Sequence, residues 1–245
     1  MEVAYRGVAH DVLPRLLPEA TLRRLERHAV IRRYAFGERI PHGDPEAEQI
    51  HYIRSGRVRV VLHGPGGQDK ILAILDRGAL VGDTNLLPRL GRSVSCIAAE
   101  LTETWAWPRS LVFSLMREDG EIAALLLASL ARKIDLLTAQ VHALTFWDAA
   151  ERVVRTFIHL AQMYGEPDAG GSTRIALRLT QAEVGEIACA SRVTVNKIYQ
   201  RLKAERLMSK RGGHFIIHDL DRLSRWSGKG RRAALLDAGS RGLRT

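Results

Sequence analysis

The stretch Ser191-Arg192-Val193-Thr194-Val195-Asn196-Lys197 concentrates side chains suited to reading the edges of nucleic-acid bases. Arg192 carries a guanidinium fork able to donate two hydrogen bonds to guanine O6 and N7. Lys197 can meet guanine or a phosphate. Val193 has no polar atom, so it offers only apolar contact, as to a thymine methyl group. Thr194 and Asn196 add a hydroxyl and an amide. Upstream, Thr180 and Gln181 stand where backbone N–H groups and a side-chain amide would suit a phosphate. Arg201 and Arg211 complete the candidate contacts. The plainer reading of the same residues is a solvated helix face on a small core domain.

The flanking sequence supplies the elements to hold these residues. Arg174 to Leu179 alternates as a short strand does, with Ile175, Ala176, Leu177 and Leu179. Thr180-Gln181-Ala182-Glu183 has the form of a capping box and predicts a helix over Gln181–Ala188, with Val184 and Ile187 turned inward. A tight connection at Cys189-Ala190 leads to Ser191, an N-cap type for a helix from Arg192 to about Glu205. That helix has an apolar stripe of Val195, Ile198, Tyr199 and Leu202. Two helices joined by a short turn make a helix-turn-helix, whose second helix puts its N-terminal residues against base edges. Leu207 to Lys210 and His214 to His218, joined by Arg211-Gly212-Gly213, read as a hairpin wing.

Charge agrees with that placement. The 245 residues carry 37 Lys and Arg against 27 Asp and Glu, a net charge of +10. Residues 170–245 hold 16 basic and 6 acidic residues, whereas residues 1–169 hold 21 of each. The whole excess lies in the last part of the chain, as expected for a unit with a polyanionic partner. A solvated basic tail is the alternative, and residues 223–245 alone hold Arg225, Lys229, Arg231, Arg232, Arg241 and Arg244 against Asp237.

The front of the chain reads differently. Residues 11–31 have the spacing of an amphipathic helix through Leu13, Leu16, Leu17, Leu22 and Leu25. From Tyr34 to Trp107, short runs rich in Val, Ile and Tyr end at turns such as Ser55-Gly56, Gly64-Pro65-Gly66-Gly67 and Arg77-Gly78, the pattern of a β-sandwich or barrel. Then Leu127, Leu130, Ile134, Leu137, Val141 and Leu144 recur at intervals of 3, 4, 3, 4 and 3. β-branched residues at two of the three a positions, with leucine at d, favour a parallel two-stranded coiled coil. The alternative is a helix packed on its own domain. Asp148-Ala149-Ala150-Glu151 has the form of another capping box, so Asp148 is either a hinge or an ordinary cap for a helix over 149–164. Gly165 to Ser172 reads as a loop. The paired carboxylates Glu118-Asp119 are expected at a helix start, where they suit the macrodipole.

Several classes are excluded or disfavoured. No Walker loop, G-x-S-x-G, H-E-x-x-H or C-x-x-C occurs, so no enzyme is expected. No uncharged apolar run approaches the roughly 18 residues of a membrane helix. The N-terminus lacks the pattern of a signal peptide, and a cytoplasmic protein is expected. Cys96 and Cys189 can neither make a disulfide framework nor supply an iron–sulfur cluster.

Together these residues resemble the bacterial CRP/FNR superfamily of transcription regulators. The specific part is Leu179-Thr180-Gln181-Ala182-Glu183-Val184-Gly185-x-Ile187-Ala188 followed by Ser191-Arg192-x-Thr194-Val195-x-Lys197. The front adds Phe36-Gly37-Glu38-x-Ile40, Tyr52-Ile53-x-x-Gly56-x-Val58 and Gly78-x-Leu80-Val81-Gly82-Asp83. The resemblance implies an α+β fold in four parts. These are an effector-sensing, jelly-roll-like β-roll over 1–117, a dimerisation helix over 118–147, a winged helix-turn-helix over 148–223 and a basic tail over 224–245. It implies a homodimer on a palindromic operator in double-stranded DNA, with RNA polymerase as a further partner. In relatives that respond to cyclic AMP, a Gly-Glu pair and a later Arg-Ser pair bind the nucleotide, the Glu taking a ribose hydroxyl. The matching residues here are Gly82-Asp83 and Arg92-Ser93, with Thr138 the polar residue on the dimer helix where relatives present hydroxyls to the base.

Three departures stand out. Val193 replaces a Glu that often accepts from cytosine, so the half-site should differ there. Cys189, or Ala188, occupies the turn where glycine is usual, and a positive φ would cost it roughly 1 kcal/mol or more. Asp83 is one methylene shorter than Glu. The effector is thus open between a cyclic nucleotide or other phosphate-bearing ligand, no such ligand with Arg92 and Asp83 paired as a structural bridge, and a haem or thiol sensor using His51, His63, Cys96 or His142. A second functional class also stays open: a small-molecule-binding regulatory subunit that acts on a protein partner without DNA.

Overall fold

The computed structural model describes residues 19–41, 49–85 and 94–226. The chain forms two compact units, residues 1–143 and 144–245. In the first, among the described residues, α1 (Glu19–Arg27) precedes eight strands: β1 (Val30–Tyr34), β2 (Arg39–Ile40), β3 (Gln49–Ser55), β4 (Val58–His63), β5 (Asp69–Leu75), β6 (Leu80–Val81), β7 (Val94–Ala98) and β8 (Thr102–Pro108). They make two antiparallel four-stranded sheets, in the orders β1-β8-β3-β6 and β2-β7-β4-β5. Strand β3 is buried on both faces. Ile50 and Tyr52 join a core with Leu25, Trp105, Trp107 and Val112, while Ile53 joins one with Tyr34, Val58 and Cys96. This is why its Ile-His-Tyr-Ile run shows no alternation of apolar and polar residues.

The expected helix over 11–31 is shorter. Leu13, Leu16 and Leu17 lie outside the described residues. Val30 and Ile31 leave the helix to pair with Ala106 and Trp105 of β8. Both are β-branched, and a ladder partner outweighs further helix here.

Helix α2 (Arg109–Glu118) and the 27-residue α3 (Gly120–Phe146), about 40 Å long at 1.5 Å per residue, follow the strands. Glu118 therefore ends a helix instead of starting one. Arg24 pairs with Glu118 and lies 3.7 Å from Asp119, offsetting negative charge at a helix C-terminus. Only Asp119 fits the expectation, accepting from Glu121 N at 2.9 Å to open α3.

Helix α3 is apolar on two sides. Ile122, Leu126, Leu136 and Ala143 are buried. On another side Leu127, Ile134, Leu137, Val141 and Leu144 stay 67, 63, 47, 63 and 47% exposed, with Leu130 half-buried.

The second unit holds α4 (Ala149–Tyr164), β9 (Gly165–Pro167), β10 (Thr173–Arg178), α5 (Gln181–Ala188), α6 (Arg192–Ala204), β11 (Met208–Arg211), β12 (His214–Ile217) and α7 (Leu220–Ser224). Its sheet runs β11-β12-β10-β9. The segment expected as a loop over 165–172 thus contains an edge strand, where Pro167 is tolerated because no inner neighbour needs its N–H. Phe157, Phe215 and Tyr199 pack edge to face at the centre, with Phe215 centroids 4.9 and 5.7 Å from the other two.

Candidate nucleic-acid interface and sensing roll

Local hydrogen bonds define both helices of the pair. At α5, Thr180 Oγ1 accepts from Glu183 N at 3.1 Å, and Glu183 Oε2 accepts from Thr180 N at 2.8 Å, completing the capping box. At α6, Ser191 Oγ accepts from Thr194 N at 3.1 Å and lies 2.9 Å from the Thr194 hydroxyl. Between them Cys189 adopts φ 50°, ψ 52°, and its N–H and that of Ala190 both donate to Gly185 O. A Cβ at Gly185 would lie 2.5 Å from the Ala190 carbonyl oxygen, so glycine is what lets the turn close. Buried Val184, Ile187, Val195, Ile198 and Leu202 fix the helices against their core.

This leaves the candidate contacts in distinct states. Arg192, Val193 and Lys197 stand exposed on the first two turns of α6, and the two cations make no ion pair among the described residues. Asn196 Oδ1 accepts from Gln181 Nε2 at 3.2 Å, tying α6 to the start of α5. Ser191 and Thr194 are engaged in capping. Arg201 lies over the Trp226 ring at 5.0 Å. Arg211, at the wing tip, pairs with Asp168 at 2.6 Å. The Ala169 N–H, and then the Arg211 charge, hold the Asp168 carboxyl below its ordinary pKa. Lys210 donates to Leu179 O at 2.8 Å and lies 4.4 Å from the Phe215 ring centre. Burial lowers its ammonium pKa.

In the roll, Gly82 has φ +87°, and a Cβ there would sit 2.5 Å from Gln49 O. Asp83 follows in a short 3-10 turn (Asp83–Asn85) and is buried. Its oxygens accept from Ser129 Oγ at 2.7 Å, from Thr84 N at 3.0 Å and from Lys133 Nζ. Thr138 is exposed on α3. Arg92 and Ser93 lie outside the described residues. Among the histidines weighed as axial ligands, His51 is fully buried, with Nδ1 3.2 Å from Thr104 Oγ1 and Nε2 3.2 Å from Pro41 O. Both ring nitrogens are therefore used within the chain. His63 sits between Asp69 at 2.8 Å and Ser95 at 2.7 Å. Cys96 is a core residue, and His142 is half-buried on α3. Among the described residues no cluster of three or more His, Cys, Asp or Glu could hold a metal ion.

Two family models match the chain: a cyclic nucleotide-binding domain over residues 31–119 and a Crp-like helix-turn-helix domain over residues 151–226. The chain belongs to the CRP/FNR superfamily. It is a DNA-binding transcription regulator with a cyclic-nucleotide-binding-type sensing domain. Among curated superfamily members, it is 27% identical over 209 residues to the cAMP-activated global transcriptional regulator CRP of Escherichia coli O6:H1, covering 84% of this chain and 98% of that one. It is 28% identical over 183 residues to the CRP-like cAMP-activated global transcriptional regulator of Mycobacterium tuberculosis, covering 75 and 81%. In fold it resembles the c-di-GMP responsive global regulator CLP of Xanthomonas campestris, with TM-score 0.73 and 22% identity over 82% of this chain and all of that one. FixK2 of Bradyrhizobium japonicum gives 0.67 and 20% over 82 and 98%.

Within this superfamily framework, some working residues are invisible to a reading by motif. Arg152 on α4 donates to Trp147 O, Ala188 O and Cys189 O, and nothing in its sequence context distinguishes it from a solvated arginine. Ser129, Lys133 and Gln140 did leave a signal. With Ile122, Leu126, Leu136 and Ala143 they form a second series at intervals of 4, 3, 4, 3, 4 and 3, so polar residues stand where a buried stripe runs.

Proposed function

We propose that two copies of this chain, joined along the exposed apolar side of α3, bind a two-fold symmetric operator in the cytoplasm. They act by binding, not by catalysis, and RNA polymerase is the partner that reads the outcome. The observation that carries this reading is the state of α6. Caps at Ser191 and Thr180 hold the helix pair rigid, while Arg192, Val193 and Lys197 are left uncommitted on its leading turns. In such helices those turns face base edges in the major groove. The exposed series Leu127, Ile134, Leu137, Val141 and Leu144 supports the dimer, because one chain alone would leave it in water.

The roll is the sensing end. Gly82 and the anion-binding pair Arg92 and Ser93, with Thr138 on α3, are the residues proposed to meet a phosphate-bearing effector, in keeping with the cyclic-nucleotide-binding-type domain. Effector binding would bias α3 and the Asp148 junction between two arrangements, one of which sets the two recognition helices at groove spacing.

Selection of bound duplexes from a random-sequence library by the full-length protein tests this. The expected product is a palindrome with half-sites about one helical turn, roughly 34 Å, apart. Recovery of no sequence above background, at low as well as physiological salt, would overturn the reading.

A further inference from the structure

Asp83 is the only acidic residue in the buried class among the described residues, 1% exposed. Removing a carboxylate from water is costly unless a countercharge and hydrogen bonds replace its hydration. Here they do, and two of the three donors come from one helix. Ser129 Oγ donates to Oδ2 at 2.7 Å. Oδ1 accepts from Thr84 N at 3.0 Å and from Lys133 Nζ, which also donates to Leu80 O at 3.1 Å. Ser129 and Lys133 lie one turn apart, so a single buried anion grips α3 at two successive points. Both carboxylate oxygens are engaged from within the chain, at the position where relatives that respond to cyclic AMP offer a carboxylate to a ribose.

We propose that Asp83 is a latch and not a ligand contact: its pairing with Lys133 and Ser129 fastens α3 to the roll and keeps the dimer helix set for DNA without a ribose-bearing ligand. The latch rests on the regulator reading above for its effect on DNA, but not for its existence. Lys133 is the internal substitute for the ligand. Its ammonium neutralises the carboxylate, and its second bond, to Leu80 O, anchors the same lysine to the end of β6. A ribose hydroxyl, a neutral donor, would have to uncover this buried carboxylate and compete with contacts of which one is charge-assisted, which is unfavourable. The roll therefore responds weakly to ligands that depend on ribose recognition.

The test uses full-length protein and the variants Lys133→Met, Asp83→Asn, Ser129→Ala and the double variant Asp83→Asn/Lys133→Met. Hydrogen exchange of peptides spanning residues 122–140 reads the latch directly. Affinity for the selected operator, with and without cyclic AMP or cyclic GMP, reads its consequence. Lys133→Met and Asp83→Asn should each raise exchange in α3 at least fivefold and weaken operator binding about tenfold. Ser129→Ala, which keeps the ion pair, should fall between them and the parent chain. The double variant should be no worse than either single one, because it leaves no unpaired buried charge. Added cyclic nucleotide should change the parent chain's affinity less than twofold. Parent-like exchange in both single variants would overturn the latch, as would a large cyclic-nucleotide response that Asp83→Asn abolishes. Raised exchange in a protein whose parent form binds no duplex would support the latch and overturn the DNA reading instead.

Discussion

The guanidinium of Arg152 donates to the backbone carbonyl of Cys189 at 2.8 Å. The same group donates to Ala188 O at 2.9 Å and to Trp147 O at 2.7 Å. It thereby does three jobs. It satisfies carbonyls at the C-terminal end of α5 that have no intrahelical partner. It places positive charge at the negative end of that helix. It also ties the turn of the helix pair to the residue that precedes the α4 cap, Asp148. Arg152→Ala should therefore lower the stability of the second unit by about 2–3 kcal/mol, since it leaves several part-buried carbonyls without a donor. Arg152→Lys should recover only part of the loss, because an ammonium cannot span three acceptors with a planar fork. Urea denaturation followed by a probe in the second unit measures both, and an alanine variant within 0.5 kcal/mol of the parent would refute the clamp.

Cys189 itself carries a backbone cost. Its φ of 50° puts a side chain in the left-handed region that glycine adopts freely. Cys189→Gly should stabilise the unit by about 0.5–1 kcal/mol, the relief of strain exceeding the added entropy of the unfolded chain. Cys189→Val, β-branched at the same φ, should destabilise it by more than about 1 kcal/mol. Thermal or urea melts that rank the three as Gly, Cys, Val confirm the assignment, and the reverse order would exclude it.

The helix pair was legible in the sequence because its determinants are local. Thr180 with Glu183, and Ser191 with Thr194, lie within four residues of each other, and the apolar stripe of α6 repeats every turn. The roll was legible as a class and not as a topology. Nothing near Val30 shows that it will pair with Ala106, and only that pairing takes Val30 and Ile31 out of the preceding helix. The segment around Glu166 read as a loop because Gly, Pro and Asp crowd it, yet backbone pairing with Arg174 makes it a strand. The second side of α3 left a pattern whose purpose was not legible, for another reason. Its Ser129, Lys133 and Gln140 break the apolar series, and their partners are Asp83, Leu80 O and Leu72 O, 46, 53 and 68 positions away. A polar residue on a buried stripe can be explained only once its partner is known.

The exposed side of α3 makes its own prediction. Ile134→Lys puts a charge into the middle of the proposed seam without touching the buried side of the helix. Sedimentation equilibrium should show the parent chain as a dimer at micromolar concentration and the variant shifted to monomer, with the far-ultraviolet circular dichroism unchanged. Operator affinity should fall with it, because two half-sites are then no longer held by one molecule. A variant that remains a dimer would move the interface elsewhere.

The proposed base reading by α6 divides by residue. Arg192→Ala should cost about 1–3 kcal/mol at the operator and relax the preference at one base pair. Val193→Glu should act differently. A carboxylate accepts from cytosine N4, so the variant should gain preference for a C at one half-site position while losing affinity for the parent operator. Competition binding against a panel of single-base operator variants resolves both, and unchanged base preference in both variants would remove α6 from the groove.

The last prediction separates attraction from reading. Beyond Trp226 the chain holds Lys229, Arg231, Arg232, Arg241 and Arg244 against Asp237. Trp226 is fixed beside α6, donating from Nε1 to Glu205 at 3.0 Å and lying under Arg201. Trp226, the last described residue, is thus held beside α6. Counterion release makes phosphate contacts salt-dependent by about 0.9 per contact in the log–log slope, with no information about sequence. Truncation after Trp226 should then weaken specific and non-specific binding by the same factor and shallow the salt slope by up to about 4. The preference for the operator over random duplex should stay within twofold. If truncation instead lowers that preference, the segment reads bases, and the division of labour between α6 and the basic tail fails.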